Sequence, residues 1–276
     1  MRRLHLFELE DQHWCPKLLR NYLTDHLRTF EEATQIYSVT LPIIERGLES
    51  ASTRKVVDLC SGASGPWVSI INQVKNVEVT LTDLYPNKSS MEKVNARNNG
   101  QMWYLQESVD ALNVKKNLSG LRTMFTSFHH FRPSAATKIL EDAVNKKEPI
   151  AVFEFTERTF VNLFAYPMLA LLAIFLVTPS IKPFKISRLV LTYIVPLLPI
   201  MAVWDGYVSN LRTYSADELG ELLDNFDSSS FLWEKGSLKT SRVGINITYL
   251  LGRPKERVKE NLKVDSEAKL VDVLTL

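Results

Sequence analysis

The run Lys55-Val-Val-Asp-Leu-Cys-Ser-Gly-Ala-Ser-Gly-Pro-Trp67 decides how the chain is read. Two β-branched residues lead into Asp58, and small residues with two glycines, Gly62 and Gly65, follow at once. This is a buried strand breaking into a tight turn, where missing side chains let the backbone approach a ligand. A second run, Val77–Thr82, closes on Asp83. An acidic residue ending the strand that follows a glycine-rich turn is placed to hold a ribose. Together the two strand ends predict an adenosine-type ligand across the carboxyl edge of a parallel sheet. The plainer reading is a strand–turn–helix junction that holds no nucleotide.

Outward from this stretch, residues 54–160 alternate short apolar runs with polar helical segments, the pattern of a doubly wound parallel sheet. Strands are predicted at Lys55–Leu59, Val77–Thr82, Met102–Gln106, Arg122–Ser127 and Ile150–Phe155, with helices near Pro66–Val74, Ser89–Asn98 and Ala135–Asn145. Ser134 is the expected N-cap of the last. Phe231–Lys235 and Val243–Leu251 read as two further strands, preceded by a helix that Ser215-Ala-Asp-Glu218 opens as a capping box.

At Asp58-Leu-Cys-Ser-Gly-Ala-Ser-Gly65, with Asp83 and Asp110 at later strand ends, the chain resembles the class I S-adenosylmethionine-dependent methyltransferases. Their first motif usually reads Asp/Glu-x-Gly-x-Gly-x-Gly; here Cys60 and Ser64 stand where glycines are usual, and only Gly62 is in register. The resemblance fades after about Glu154. It implies an α/β fold with a seven-stranded, doubly wound methyltransferase-type sheet completed by an antiparallel pair. It also implies S-adenosyl-L-methionine held by Asp58, Cys60, Ser61, Gly62, Ala63, Gly65, Asp83, Leu84, Asp110, Ala111, Ser127 and Phe128. Asp110 equally reads as the cap of the next turn.

The candidates for chemistry lie farther along the same edge. His129 and His130 follow the fourth strand, and imidazole titrates near neutrality, which suits proton removal from a hydroxyl or amine. Glu154 sits inside an apolar run, so it needs a cation or a cleft. Tyr214 completes the catalytic candidates. Trp14 and Tyr22, on a predicted N-terminal helix with Leu18, Leu19, Leu23 and Leu27, are candidate substrate contacts or ordinary core aromatics. A second helix is expected over Phe30–Glu49, kinked at Pro42. Asp205 and Arg212 either orient substrate or serve turn and capping chemistry.

Phe160–Trp204 sets the chain apart. Leu163–Thr178 and Leu189–Trp204 are apolar runs interrupted by prolines, with Lys182, Lys185 and Arg188 between them. Each is shorter than the ~20 residues a straight spanning helix needs. A hairpin lying in a membrane face, with its cationic link at anionic headgroups, competes with one buried against the sheet or in a homodimer. The expected division is 1–50 helical cover, 51–159 cofactor core, 160–204 insertion, 205–253 completion of the core and 254–276 polar tail.

With 33 Lys+Arg against 31 Asp+Glu, no global field points to nucleic acid. Two cysteines give no disulfide framework, and the start lacks a signal-peptide core, so a cytoplasmic location, or the inner face of a membrane, is expected. No zinc-ligand spacing or P-loop is found, and no metal is expected. The sequence thus predicts methyl transfer to a small, lipophilic or membrane-derived acceptor. The alternatives are a soluble-metabolite enzyme dimerising through the hairpin, or a catalytically silent interaction protein.

Overall fold

The computed structural model describes residues 1–62, 65–86, 94, 100–224, 226, 230–240 and 244–257. Ala63 and Ser64, the helix expected near Ser89–Asn98, apart from Val94, and the tail beyond residue 257 lie outside the described residues.

The strands are β1 (Lys55–Asp58), β2 (Glu78–Leu81), β3 (Met102–Tyr104), β4 (Leu121–Phe125), β5 (Ile150–Glu154), β6 (Phe231–Lys239) and β7 (Asn246–Pro254). They form one sheet in the order β3-β2-β1-β4-β5-β7-β6. The first five strands run parallel, while β7 is antiparallel to both β5 and β6. The chain therefore winds outward from β1 to β3, then returns to lay β4 on the other side of β1. The crevice outside the carboxyl ends of β1 and β4 is the topological switch point, where open α/β sheets bind ligands.

Eight helices are described: α1 (Lys17–Thr34), α2 (Leu41–Glu49), α3 (Trp67–Ile70), α4 (Pro133–Asn145), α5 (Phe160–Val177), α6 (Ile186–Leu189), α7 (Leu197–Arg212) and α8 (Ala216–Leu223). Side chains alternate across the sheet. Val56, Phe125, Phe153 and Leu251 join the core beneath α2 and α3, whereas Val57, Met124, Val152 and Leu250 join the core beneath α4 and α8. Both faces are covered, as a parallel sheet requires.

Several local expectations change. The helix expected over Phe30–Glu49 is divided: α1 runs on to Thr34, Gln35 takes φ 51°, and a 3₁₀ turn at Ile36–Thr40 leads into α2. Pro42 lies in the first turn of α2, where its missing N–H costs nothing. Trp14 precedes α1, and Arg132, not Ser134, occupies the N-cap of α4, with Pro133 opening the helix. The capping box forms as read: Ser215 Oγ accepts the Glu218 N–H at 3.2 Å, and Glu218 Oε2 accepts the Ser215 N–H at 2.9 Å.

The insertion is longer and more bent than expected. Phe160–Ser180 is a 21-residue helical stretch long enough to cross a bilayer, and within α5 only Asn162, Leu163, Pro167 and Ile174 are buried. The second apolar run breaks. A π-helical turn at Val190–Ile194 continues α6, Pro196 follows, and α7 departs at 73°. The helix α7 packs along α5 and continues to Arg212, so Asp205 and Arg212 lie on a helix rather than in a loop.

Candidate functional site

At the end of β1 the chain folds into the turn its small residues demand. Cys60, Gly62 and Gly65 have φ of 58°, 53° and 55°, in the left-handed region. Among the described residues, a β-carbon added at Gly62 meets Thr24 of α1, at 3.8 Å, whereas one at Gly65 presses Asp58 Oδ2 at 3.0 Å. Cys60 adopts the glycine-like conformation with a side chain, at a cost of about 1–2 kcal/mol.

Asp58 does not face an open cleft. It is buried, accepting the hydroxyls of Ser61 and Thr123, each at 2.6 Å, and Trp67 Nε1 donates to that threonine at 3.1 Å. Burial pushes the Asp58 carboxyl up to about 7 against the pull of those hydroxyls. Asp58 therefore braces the turn. Asp83, half-buried, accepts the Gly62 N–H at 3.0 Å and the Tyr85 N–H at 2.8 Å, tying the β1 and β2 turns together. A carboxylate has about four acceptor sites, so lone pairs remain for a diol.

Tyr104 donates to the Gly62 carbonyl at 2.8 Å from the third strand. Asp110 is exposed and caps the next turn through the Leu112 N–H at 2.9 Å. Ala111 and Phe128 are buried and Leu84 is 44% exposed. Ser127 is buried, and its hydroxyl has no partner among the described residues.

The candidate bases at the ends of β4 and β5 have a different setting. His129 is buried, with Nδ1 2.7 Å from Glu154 Oε2, and its backbone N–H donates to Glu154 Oε1 at 3.1 Å. His130 stacks on it at 4.4 Å, with Nδ1 3.1 Å from Asp11 Oδ2. Glu8, from the N-terminal segment, is 1% exposed and completes the group. Burial opposes charge on His129, yet Glu154 and Glu8 overcome it and raise the pKa to about 10. His130 is also raised, Glu8 and Asp11 outweighing burial and the neighbouring ring. In this charge network the surrounding carboxylates favour the protonated form of both rings, which weighs against the expectation of a histidine base. Glu154 is occupied by the same network.

The remaining candidates also prove to be braces. Tyr214 donates to the Phe131 carbonyl at 2.7 Å beneath the Arg3 guanidinium, 3.9 Å from its ring, and burial raises its phenol to about 12. Arg212 is buried and pairs with Glu8 at 3.1 Å and Asp11 at 2.8 Å. Asp205 accepts the N–H groups of Leu9 and Glu10 at 2.5 and 3.1 Å; burial lifts its carboxyl to about 6 against those two donors. Together these residues strap segment 3–11 across α7 and the β4 edge. Tyr22 is buried beside the insertion, its hydroxyl 2.6 Å from Ser187 Oγ and its ring 4.7 Å from the Arg188 guanidinium. Trp14 is 58% exposed on the surface. These positions correct the substrate-pocket expectation for Tyr22, Asp205 and Arg212.

One residue the sequence reading passed over stands out. Glu31, in the last turn of α1, is buried and its carboxyl makes no hydrogen bond or ion pair among the described residues. Burial first, and Asp58 next, push it up to about 8. Its signal was a glutamate on a helix whose Thr24, two turns earlier, packs on Gly62.

No family model and no curated relative matches the chain. Among solved structures it is similar to the plantazolicin methyltransferase BpumL in complex with SAH, at 11% identity, with 86% of this chain and 88% of that one covered and a TM-score of 0.48. It is similar to the pyocyanin biosynthetic protein PhzM at 13% identity, covering 85% and 61% with a TM-score of 0.48. A putative O-methyltransferase from Nostoc punctiforme is 16% identical, covering 84% and 59% with a TM-score of 0.47.

Proposed function

We propose that the protein transfers a methyl group from S-adenosylmethionine to a small, lipophilic acceptor drawn from a membrane surface. The observation that carries the cofactor reading is the pair of turns at the switch point, locked by the Gly62 N–H on Asp83, with Gly62 in the left-handed region. Asp83 would hold the ribose diol, the Gly62 turn would admit the cofactor against the backbone, and Ser127 Oγ offers an unused partner. The unpaired carboxyl of Glu31 fits as well, because burying it without a cation is costly and this cofactor is cationic. When bound, the cofactor supplies an already activated methyl group, so the chain must mainly align the acceptor and, where needed, remove its proton.

Glu31 is the candidate base. Its raised pKa lies close to working pH, where general-base catalysis is most efficient, whereas the carboxylates around His129 and His130 favour their protonated forms. Glu31→Gln should lower kcat at least a hundredfold and remove a limb of the pH–rate profile.

The acceptor class follows from α5 and α6. Phe160, Phe164, Met168 and Leu176 on α5 and Ile186 on α6 are each more than half exposed. A patch of this kind marks a lipid or protein contact. Lys182 is exposed beside it, while Arg188 is buried on Asp25 at 2.6 Å and takes no part. A lipid surface is the occupant we favour, with the chain lying in the interface.

The test supplies methyl-labelled cofactor with membrane extracts and counts label in the organic phase, beside flotation with anionic vesicles. Label in that phase and co-flotation support the reading. Label only in water-soluble products, with a stable detergent-free dimer, replaces it with the soluble enzyme. A chain that binds cofactor and turns over neither extract is the silent interaction protein.

A further inference from the structure

The group Glu8, His129 and His130 brings together donors that no sequence spacing announced, 121 positions apart, and the way they meet is unusual. His129 Nε2 lies 3.6 Å from Glu8 Oε1, and His130 Nδ1 lies 3.5 Å from Glu8 Oε2. Both separations exceed a hydrogen bond, for which about 2.7–3.2 Å is usual. Around a tetrahedral metal with ligand bonds near 2.0–2.2 Å, neighbouring donors stand about 3.3–3.6 Å apart, the range of each of these separations, which run to different oxygens of Glu8. The candidate donor atoms of the three residues all lie within 4.8 Å of one another.

Two of these atoms are orphans. Glu8 Oε2 and His129 Nε2 are buried with no hydrogen-bond partner among the described residues, and both residues are 1% exposed. The other side of His129 is fixed: Nδ1 faces Glu154 Oε2 at 2.7 Å. A carboxylate on one ring nitrogen orients the opposite nitrogen towards a metal in many sites. Glu8 is positioned in turn by the Ser209 hydroxyl, which donates to Oε1 at 3.0 Å, and by Arg212 Nη1 at 3.1 Å. The carboxylates of Glu8, Asp11 and Glu154 surround the two rings and Arg212, and a cation bound there would displace the protons that these carboxylates draw onto the rings.

We propose that Glu8, His129 and His130 bind a divalent metal of the borderline class typified by Zn²⁺. Two imidazoles and one carboxylate are a donor set of that class, and three protein ligands leave a fourth position open. Entry is from the side of His130 and Asp11, whose side chains are 26% and 34% exposed. The metal clamps the N-terminal segment onto the β4 edge. This proposal is independent of the methyl-transfer reading.

The test titrates Zn²⁺ into chelator-treated, full-length protein by calorimetry and follows Co²⁺ by its visible absorption. One ion per chain is expected, with micromolar or tighter affinity, a four- or five-coordinate Co²⁺ spectrum and a raised Tm. Glu8→Gln, close in shape, should weaken binding at least a hundredfold. Should that variant not fold, His130→Asn must lose at least tenfold. His13→Ala, at an exposed histidine outside the group, should change nothing. No binding by the folded wild type, undiminished binding by Glu8→Gln or His130→Asn, or loss on His13→Ala would overturn the proposal.

Discussion

At the ends of β1 and β2 the acidic groups are met by neutral donors: Asp58 by two hydroxyls, and Asp83 by two backbone N–H groups. At the ends of β4 and β5, less than the width of the sheet away, they are met by charge: Glu154 by His129, and Glu8 and Asp11 by Arg212 and His130. The first arrangement is built from residues close to the strand ends and ties two backbone turns together. The second draws on the N-terminal segment and α7 and buries His129, leaving His130 partly exposed. Polar residues at the carboxyl edge of one sheet can therefore have opposite uses. What separates them is whether their partners are neutral and local or charged and distant.

The largest expected effect breaks the charged half. Glu154→Ala leaves His129 buried without its partner and should cost about 3–5 kcal/mol, read from urea unfolding. A loss below ~1 kcal/mol would mean that the pair is not held as described. In the neutral half, Thr123→Val removes the donor to Asp58 and the acceptor for Trp67. It should cost about 1–3 kcal/mol through the buried groups it strands.

The two halves also differ in pH response. The folded pKa of His129 lies above its unfolded value, so its stabilising contribution is complete below pH ~6.5 and is lost as pH rises towards about 10. The urea midpoint should fall more steeply across that window in the wild type than in Glu154→Gln. An equal fall in both would detach the pH dependence from this pair. The smallest effect tests the turn: Cys60→Gly relieves the left-handed backbone but loses a partly buried side chain, so its stability should lie within about 1 kcal/mol of wild type.

This contrast also explains how much could be read in advance. β1 to β5 were legible because short apolar runs set between polar helical stretches announce buried parallel strands, and each real strand differs from its run by only a few residues. The Gly62 turn follows from a local motif, whereas its hydrogen bond to Asp83 was visible only in the structure. His129 and His130 were seen, but their partner Glu8 lies in a segment with no periodicity to place it, so the rings looked free. Asp205 and Arg212 looked like loop polars because the apolar signal ends near Trp204, yet α7 carries on to Arg212 by its packing on α5 and the strap. Glu31 was missed because one glutamate on a polar helix face gives no sign that it will be buried near Asp58.

The central claim is that the turns after β1 and β2 hold an adenosyl cofactor. The direct measurement is calorimetry of S-adenosylhomocysteine and S-adenosylmethionine on the purified chain, beside Asp83→Ala. The account predicts micromolar binding of both ligands by the wild type. It predicts at least a tenfold loss in Asp83→Ala, equivalent to about 1.4 kcal/mol, with a nearly unchanged unfolding midpoint. A folded wild type that binds neither ligand, or an Asp83→Ala chain that binds both as tightly, would contradict it.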